Sequence, residues 1–189
     1  MMETSVEQVF KTERDRLSLL TRKGIGMPVA GLIYWLAVAL ILRRFHLQTG
    51  LVISFFATGA VFPLGALLTR IMGGDLFAKS AVLTPLGLQL AAVQLFYWPI
   101  IVLIFRHLPE WTPFAMAVLF GSHFLAYGWL YRSPAYAVLA GLTTVAVTVA
   151  VLATQRPLFA EIPLIAAGCY AVACVLLARE VGQLKPPAG

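Results

Sequence analysis

The chain alternates between long apolar segments and short polar connections. Each apolar segment is close to the ~20 residues that a helix needs to cross the hydrocarbon core of a bilayer. The six segments are residues 25–42, 51–71, 85–105, 113–131, 134–154 and 159–178. None of them shows the alternation in ~10-residue units that is typical of a membrane β-barrel. The pattern therefore predicts an all-α, polytopic membrane protein with six transmembrane helices.

The N-terminal residues carry a different pattern, in which apolar and basic positions interleave. The apolar positions recur at helical spacing and are Val6, Val9, Phe10, Leu17 and Leu20. A basic amphipathic helix of this kind suits the surface of an anionic membrane, and it is equally suited to covering one end of the bundle. We expect an interfacial helix over residues 1–24, the transmembrane bundle over 25–178 and a cytoplasmic tail over 179–189.

Composition supports a membrane protein and changes the interpretation of the charge. Hydrophobic residues make up 60% of the chain and charged residues 12%, whereas soluble domains average about 45–50% and about 25%. A net charge of +6 would indicate nucleic acid as the partner of a soluble protein. Here the basic residues flank the spans, where they fix orientation. The lipid bilayer is the expected partner, and nucleic acid is not.

The distribution of lysine and arginine predicts how the chain is oriented. With a cytoplasmic N-terminus, the inner side carries ten of these residues and the outer side carries four. This excess favours both termini on the cytoplasmic side. Half of the ten belong to the N-terminal segment, and without it the count is five against four.

Polar side chains inside the spans are concentrated in the third and fourth. Gln94 and Trp98 lie one helical turn apart in the third span, and His123 and Tyr127 lie one turn apart in the fourth. Gln94 and His123 are ~13 Å and ~15 Å from opposite ends of their antiparallel spans, so both lie near the midplane. The pattern predicts a polar-aromatic strip with a Gln94–His123 hydrogen bond, able to bind an apolar or weakly polar molecule.

Other chemistry finds little support along the chain, and an enzyme, a metal site or a cofactor is not expected. Ser122 and His123 are adjacent, so on a helix their side chains point ~100° apart and do not form a catalytic pair. A haem held by two histidines requires both at similar depth, and only His123 lies deep in a span. The residues of metal-ligand type at the outer rim lack ligand spacing; they are His46, His107, Glu110 and Glu161.

Prolines and small residues predict local features of the helices. Pro63 and Pro99 lie within the second and third spans and predict kinks. Small residues form stripes on the last two spans, which we interpret as close packing within one bundle rather than as a dimer interface. They are Ala137, Gly141, Thr144 and Thr148 on the fifth span, and Ala167, Gly168 and Ala171 on the sixth.

Four segments, which together cover about half the chain, carry a resemblance to known proteins. They read Thr84-Pro-Leu-Gly, Gln94-Leu-Phe-Tyr-Trp-Pro, Pro109-Glu-Trp-Thr-Pro-Phe and Gly121-Ser-His-Phe-Leu-Ala-Tyr-Gly-Trp-Leu-Tyr. This run resembles a family of small six-pass bacterial membrane proteins of unknown function. The resemblance implies a location in the bacterial cytoplasmic (inner) membrane, and it implies no activity.

Two functions remain open. The first is binding or transport of a small molecule at the strip of Gln94, Trp98, His123 and Tyr127. The second is a structural or accessory role, in which the same side chains only hold helices together and the protein contacts a partner or a second copy of itself through its helix faces. A cavity beside His123 favours the first function, and a solid core with a two-fold interface favours the second.

Overall fold

The protein is described by a computed structural model that covers residues 2–80 and 83–184, except for the side chains of residues 2–5 and 88. Throughout this part of the chain the regular structure is helical, without a β-strand. Six spans are long and apolar enough to cross a membrane. They are Arg22–Arg44, Leu47–Ile71, Leu83–His107, Pro109–Leu130, Pro134–Thr154 and Ile162–Gly182. The predicted all-α fold with six transmembrane helices is therefore confirmed.

The six spans and the N-terminal segment comprise the α-helices α1–α9. Their bounds are α1 Met2–Leu20, α2 Gly26–Arg44, α3 Leu47–Ile71, α4 Leu83–Ala92, α5 Trp98–His107, α6 Thr112–Ser122, α7 Phe124–Leu130, α8 Pro134–Thr154 and α9 Ile162–Gly182. The third span consists of α4, a 3-10 turn at Val93–Tyr97 and α5. The fourth span consists of a 3-10 turn at Pro109–Trp111 followed by α6 and α7.

Several spans extend beyond the predicted boundaries. The second begins at Leu47 rather than at residue 51, so the connection after α2 is only Phe45 and His46. The sixth continues to Gly182, so most of the described part of the expected tail is helical. Polar residues such as Glu180 continue this helix because they find partners at its end. Residues 185–189 of that tail lie outside the described part of the chain.

α2 packs between α3 and α9. Two glycines allow these close approaches. A Cβ added to Gly26 would lie 2.3 Å from the carbonyl oxygen of Gly65 on α3, and a Cβ added to Gly31 would lie 2.3 Å from the ring of Tyr170 on α9. Because neither contact tolerates a side chain, these glycines set the spacing of the three helices.

Only some residues of the small-residue stripes take part in packing within the bundle. Ala167 is buried, but Gly141 and Gly168 are exposed and an added Cβ on either would meet nothing within 4 Å. The buried face of α8 instead presents Ala140, Thr143 and Val147, each one residue before a position of the stripe. The interpretation of the stripes as intramolecular packing is therefore wrong for Gly141 and Gly168. Their spacing follows the helix, but hydropathy alone does not distinguish adjacent faces of an apolar helix.

α1 lies against one end of the bundle, hereafter the α1 end, together with the connections that follow α3 and α7. Its last two turns are anchored, with Leu17, Ser18 and Thr21 buried. Ser18 Oγ donates to the carbonyl of Tyr131 at 3.1 Å, and Asp15 pairs with Arg132 at 2.9 Å. The apolar residues of the first half remain exposed and are Val6, Val9 and Phe10. The second half of α1 thus covers the bundle, as one of the two interpretations predicted, and its first half leaves an apolar face open.

A left-handed turn joins α1 to the bundle. Arg22, Lys23 and Gly24 have φ values of 47°, 53° and 62°, a conformation that glycine adopts readily and other residues rarely. Tyr136 holds this turn, because its hydroxyl donates to the carbonyl of Lys23 at 2.7 Å. The Lys23 ammonium in turn binds Glu180 at 2.8 Å, with both side chains largely buried.

Candidate functional site

The third and fourth spans are both interrupted at the residues that the sequence singles out. Gln94 lies in the 3-10 turn between α4 and α5, and His123 lies between α6 and α7. Pro99 explains the first interruption, because its ring lacks an N–H and clashes with the carbonyl four residues earlier. At the second, His123 Nδ1 bonds the carbonyl of Phe120 at 2.9 Å, so a side chain takes up a carbonyl of the helix ladder.

Gln94 and His123 meet where the two interruptions face each other. The amide nitrogen of Gln94 lies 3.0 Å from each imidazole nitrogen of His123. Because Nδ1 donates its proton to the Phe120 carbonyl, Nε2 is the acceptor for the Gln94 amide in a neutral imidazole. The predicted hydrogen bond between the third and fourth spans is thus present.

Trp98 and Tyr127 extend this contact in two directions. Trp98 packs edge-on against Phe55 of α3, with ring centroids 5.4 Å apart. Tyr127 stands edge-on to the imidazole of His123 at 5.5 Å, and its hydroxyl lies 3.4 Å from the carbonyl of Gly87 on α4. The four predicted residues therefore form one continuous strip that also reaches the second span.

The strip forms part of the wall of a cavity of ≈ 600 Å³. This volume is within the ~300–1,000 Å³ of typical small-molecule sites. Every span contributes to the lining, which is rich in aromatic residues. The aromatic residues of the wall are Tyr34, Trp35, Phe62, Phe77, Trp98, Phe120, His123, Phe124, Tyr127, Tyr131, Tyr136 and Tyr170.

Most hydroxyls in the cavity wall already bind the backbone. Tyr34 donates to the carbonyl of Ser54 at 3.3 Å, and Tyr170 lies 3.4 Å from the carbonyl of Phe120. Thr58 donates to the carbonyl of Phe55 at 2.6 Å. The wall is therefore less polar than its tyrosines suggest, since their donors are used within the protein.

The cavity wall carries one type of charge among the described residues. Lys79, in the connection between α3 and α4, is its charged member, and no carboxylate contributes to it. Lys79 is exposed and forms no ion pair or hydrogen bond with the described part of the chain. The cavity thus has a neutral polar group at depth, in Gln94 and His123, and a cation near the α1 end.

α1 covers the cavity at that end. Leu17 and Thr21 belong to the lining. Glu13 accepts a hydrogen bond from Ser80 Oγ at 2.7 Å, and the same serine oxygen lies 3.3 Å from the N–H of Leu83 at the start of α4. The N-terminal helix is therefore fastened to the third span as well as to the α7–α8 turn.

The side of the cavity between α3 and α4 is the least packed. α3 packs along α2, whereas α4 packs against α7 and α1. Gly59 on α3 contributes to the lining, is exposed and has nothing within 4 Å of an added Cβ. The second and third spans meet through Phe55, near the other end. The cavity is therefore least enclosed along the gap between these helices.

Sequence reasoning identified the strip and missed most of the opposite wall. Tyr34 and Tyr170 lie near the middle of apolar spans and Tyr136 lies near the start of one; their hydroxyls were the available signal. The position of Lys79 in the cavity wall was not predicted, because a lysine in a short connection is normally interpreted as a residue that sets the orientation of the spans. Ser122 Oγ donates to the carbonyl of Leu119 at 3.2 Å, so it has a structural bond and does not pair with His123.

The chain was compared with protein families, curated proteins and solved structures. A family model described as "Family of unknown function (DUF7010)" matches residues 10–180. Neither a curated protein nor a solved structure matches the chain.

Proposed function

The chain belongs to the family of unknown function DUF7010, and we propose that it binds a small, largely apolar molecule in the cavity beside Gln94 and His123 and transports it. The observation that carries the proposal is the meeting of two interrupted helices at one hydrogen bond on the wall of that cavity. Helices interrupted at membrane depth are tolerated where they line a cavity, and they form the substrate sites of many transporters.

The chemistry of the wall supports a weakly polar ligand. The lining is rich in aromatic side chains, and most of the tyrosine and threonine hydroxyls there bind backbone carbonyls. Gln94 uses its amide nitrogen for His123, and its carbonyl oxygen accepts no hydrogen bond from the described residues. This oxygen is the polar group available to fix the orientation of a ligand, which is how mainly apolar sites obtain specificity.

The interruptions also provide the means of movement. A 3-10 turn and a helix break lack the regular hydrogen bonds that make a long helix stiff, so α4 and α7 are able to tilt relative to α5 and α6. Parting of Gln94 from His123 would accompany that tilt and cost about 0.6–2 kcal/mol. A barrier contribution of this size is small enough for a transport cycle.

Retention of a small molecule by the purified protein tests the binding step. Gly59→Leu adds a large side chain at a lining residue of the cavity without a clash, since nothing lies within 4 Å of the added Cβ. Gly141→Leu is the matched control, because Gly141 is equally unobstructed but faces away from the bundle. Native mass spectrometry from lipid nanodiscs should show a bound molecule on the wild type and on Gly141→Leu, and not on Gly59→Leu.

Equal retention by both variants, or retention by none of the three proteins after gentle release from membranes, would overturn binding in this cavity. Thermal unfolding of the same samples separates this result from misfolding. Both variants add leucine at an open position, so their unfolding temperatures should agree with each other within a few degrees.

A second candidate is an accessory role through association of helix faces. Gly141 and Gly168 leave open space on the exposed faces of α8 and α9, and small residues allow close contact between helices in lipid. Under this alternative, Gly141→Leu would abolish a dimer seen by cross-linking in membranes, whereas Gly59→Leu would not. The two glycine variants therefore discriminate between the two functions.

We further propose that the protein resides in a bacterial cytoplasmic membrane with both termini inside. The excess of lysine and arginine that the sequence assigns to the cytoplasmic side, ten against four, supports this orientation. The cavity would then be covered by α1 on the cytoplasmic side.

A further inference from the structure

We propose that the ligand is an anionic amphiphile, a single apolar chain or ring system that ends in a carboxylate or phosphate. The head group would bind at Lys79, and the apolar body would extend along α4 toward Gln94. This inference rests on the proposed binding function and adds the chemical class of the ligand.

The charges of the cavity wall select the sign of the head group. Lys79 is the charged member of the described lining, and no carboxylate is present there to receive a cation. A cationic ligand would therefore bring an unpaired charge next to an ammonium in a largely apolar site, which is costly. An anion would pair with Lys79, which has no partner of its own among the described residues.

The polar groups of the wall restrict how many hydrogen-bonding groups the body of the ligand can carry. The hydroxyls of Tyr34, Thr58 and Tyr170 are directed to backbone carbonyls. A sugar or another polyhydroxylated molecule would leave its own hydroxyls without partners, at a cost for each. An apolar body has no such requirement, and it gains from contact with the aromatic wall.

The extent of the cavity fits an elongated ligand. Its lining follows the third span from Leu83 past Gly87 and Ala91 to Gln94, a rise of ~16 Å at 1.5 Å per residue. Lys79 precedes the start of this path, at the α1 end. Head group and body are therefore accommodated at opposite ends of one cavity.

The gap between α3 and α4 gives such a molecule an entrance from the bilayer. An amphiphile dissolved in the membrane carries its head group at the interface and its chain in the hydrocarbon, the same arrangement as Lys79 and Gln94 in the cavity. Phe62 and Phe77 stand beside this gap with their rings 6.2 Å apart, and both are exposed. The ligand would enter laterally from the bilayer, and its charged head group would not have to pass through the hydrocarbon.

Tryptophan quenching by brominated probes tests the charge preference directly. Of the four tryptophans, Trp35 and Trp98 line the cavity, so replacing Trp111 and Trp129 with phenylalanine leaves two reporters of its occupancy. The protein in lipid nanodiscs at pH 8 is titrated with 11-bromoundecanoate, 11-bromoundecanol and 11-bromoundecyltrimethylammonium. A brominated naphthoate, which is soluble in water, distinguishes a free aromatic acid from a membrane amphiphile.

We expect half-maximal quenching by the carboxylate at a concentration about fivefold lower than by the alcohol, the upper range for a partly exposed ion pair. The ammonium probe should quench least. Lys79→Gln should remove the difference between carboxylate and alcohol. Lys11→Gln, which removes the same charge from an exposed position of α1 outside the cavity, should preserve it.

The Gly59→Leu variant separates failure of this inference from failure of the proposed function. If all three probes quench the wild type equally and Gly59→Leu abolishes quenching by each, the cavity binds ligands but the anionic class is wrong. A carboxylate preference that survives Lys79→Gln also overturns the inference. If Gly59→Leu changes nothing, the cavity is not the site and both proposals fall.

Discussion

Gln94 and His123 are coupled across the third and fourth spans, and a double-mutant cycle measures that coupling at the scale of single residues. His123→Phe keeps the ring but removes both nitrogens, and Gln94→Leu removes the amide. Because interhelical hydrogen bonds in membranes contribute about 0.6–1.7 kcal/mol, the two changes should be non-additive by that amount in the free energy of unfolding. Additive effects would contradict the contact seen at 3.0 Å.

Two ion pairs differ in burial and provide a matched comparison. Lys23 and Glu180 are 10% and 19% exposed, whereas Arg156 and Glu161 are 64% and 49% exposed. Glu180→Gln should cost about 2–4 kcal/mol of unfolding free energy, because it leaves a buried ammonium without its counter-charge. Glu161→Gln should cost less than about 1 kcal/mol.

The Glu180 carboxylate has two further partners, which strengthens this expectation. It accepts hydrogen bonds from Ser133 Oγ at 2.6 Å and from the N–H of Ala135 at 2.8 Å, at the start of α8. Unfolding in a denaturing detergent provides the measurement for both variants. Equal losses for Glu180→Gln and Glu161→Gln would mean that water reaches Lys23.

Some of these contacts could be predicted from the sequence and others could not, for physical reasons. The depth of Gln94 and His123 follows from the fixed rise of a helix, so counting along two antiparallel spans is enough to bring them together. Lys23 and Glu180 are 157 positions apart, and each lies just outside a span predicted from the sequence, where a charged residue is interpreted as an orientation signal. Their pairing depends on how the first and sixth spans pack, which periodicity does not specify.

At the scale of whole elements, the sequence contains an evident cause for the interruption of the third span, and no such cause for the interruption of the fourth. A proline weakens the helix that contains it. The third span is interrupted next to Pro99, whereas α3 continues through Pro63. His123 carries no backbone signal of its own. It ends α6 through a local bond to the carbonyl of Phe120 and a contact with Gln94, and the second of these exists only in the folded bundle.

α1 is expected to be a removable cover rather than part of the core. A chain that begins at Thr21 keeps Lys23 and the left-handed turn, so it should insert and fold, since the spans carry their own hydrophobicity. Leu83, which is 0% exposed beneath α1, should then become accessible. With both native cysteines replaced by alanine, Leu83→Cys should react with a membrane-impermeant maleimide only in the shortened chain.

Gly182→Cys serves as the reference for this experiment, because Gly182 is exposed at the same end with open space around it. It should react in both chains. Reaction of Leu83→Cys in the full-length protein would show that α1 does not cover the cavity. Loss of the folded bundle in the shortened chain would show instead that α1 belongs to the core.

At the scale of the molecule, the proposed orientation predicts the sidedness of every connection. Reporter fusions after His46 and Leu108 should lie outside the cytoplasm, and fusions after Asp75 and Leu184 should lie inside. These positions fall in the connections between helices or beyond the last one. The opposite pattern would reverse the orientation and place α1 outside.

Site-specific photocrosslinking in native membranes tests most directly whether the cavity is a binding site. A benzophenone amino acid at position 127 replaces a tyrosine of the cavity wall, and the same group at position 125 replaces a leucine that is 61% exposed on the outside of the same helix. After irradiation, mass spectrometry should find one discrete small-molecule adduct at position 127 and bulk phospholipid at position 125. Bulk phospholipid alone at both positions, or no adduct at position 127, would contradict a ligand site between the third and fourth spans.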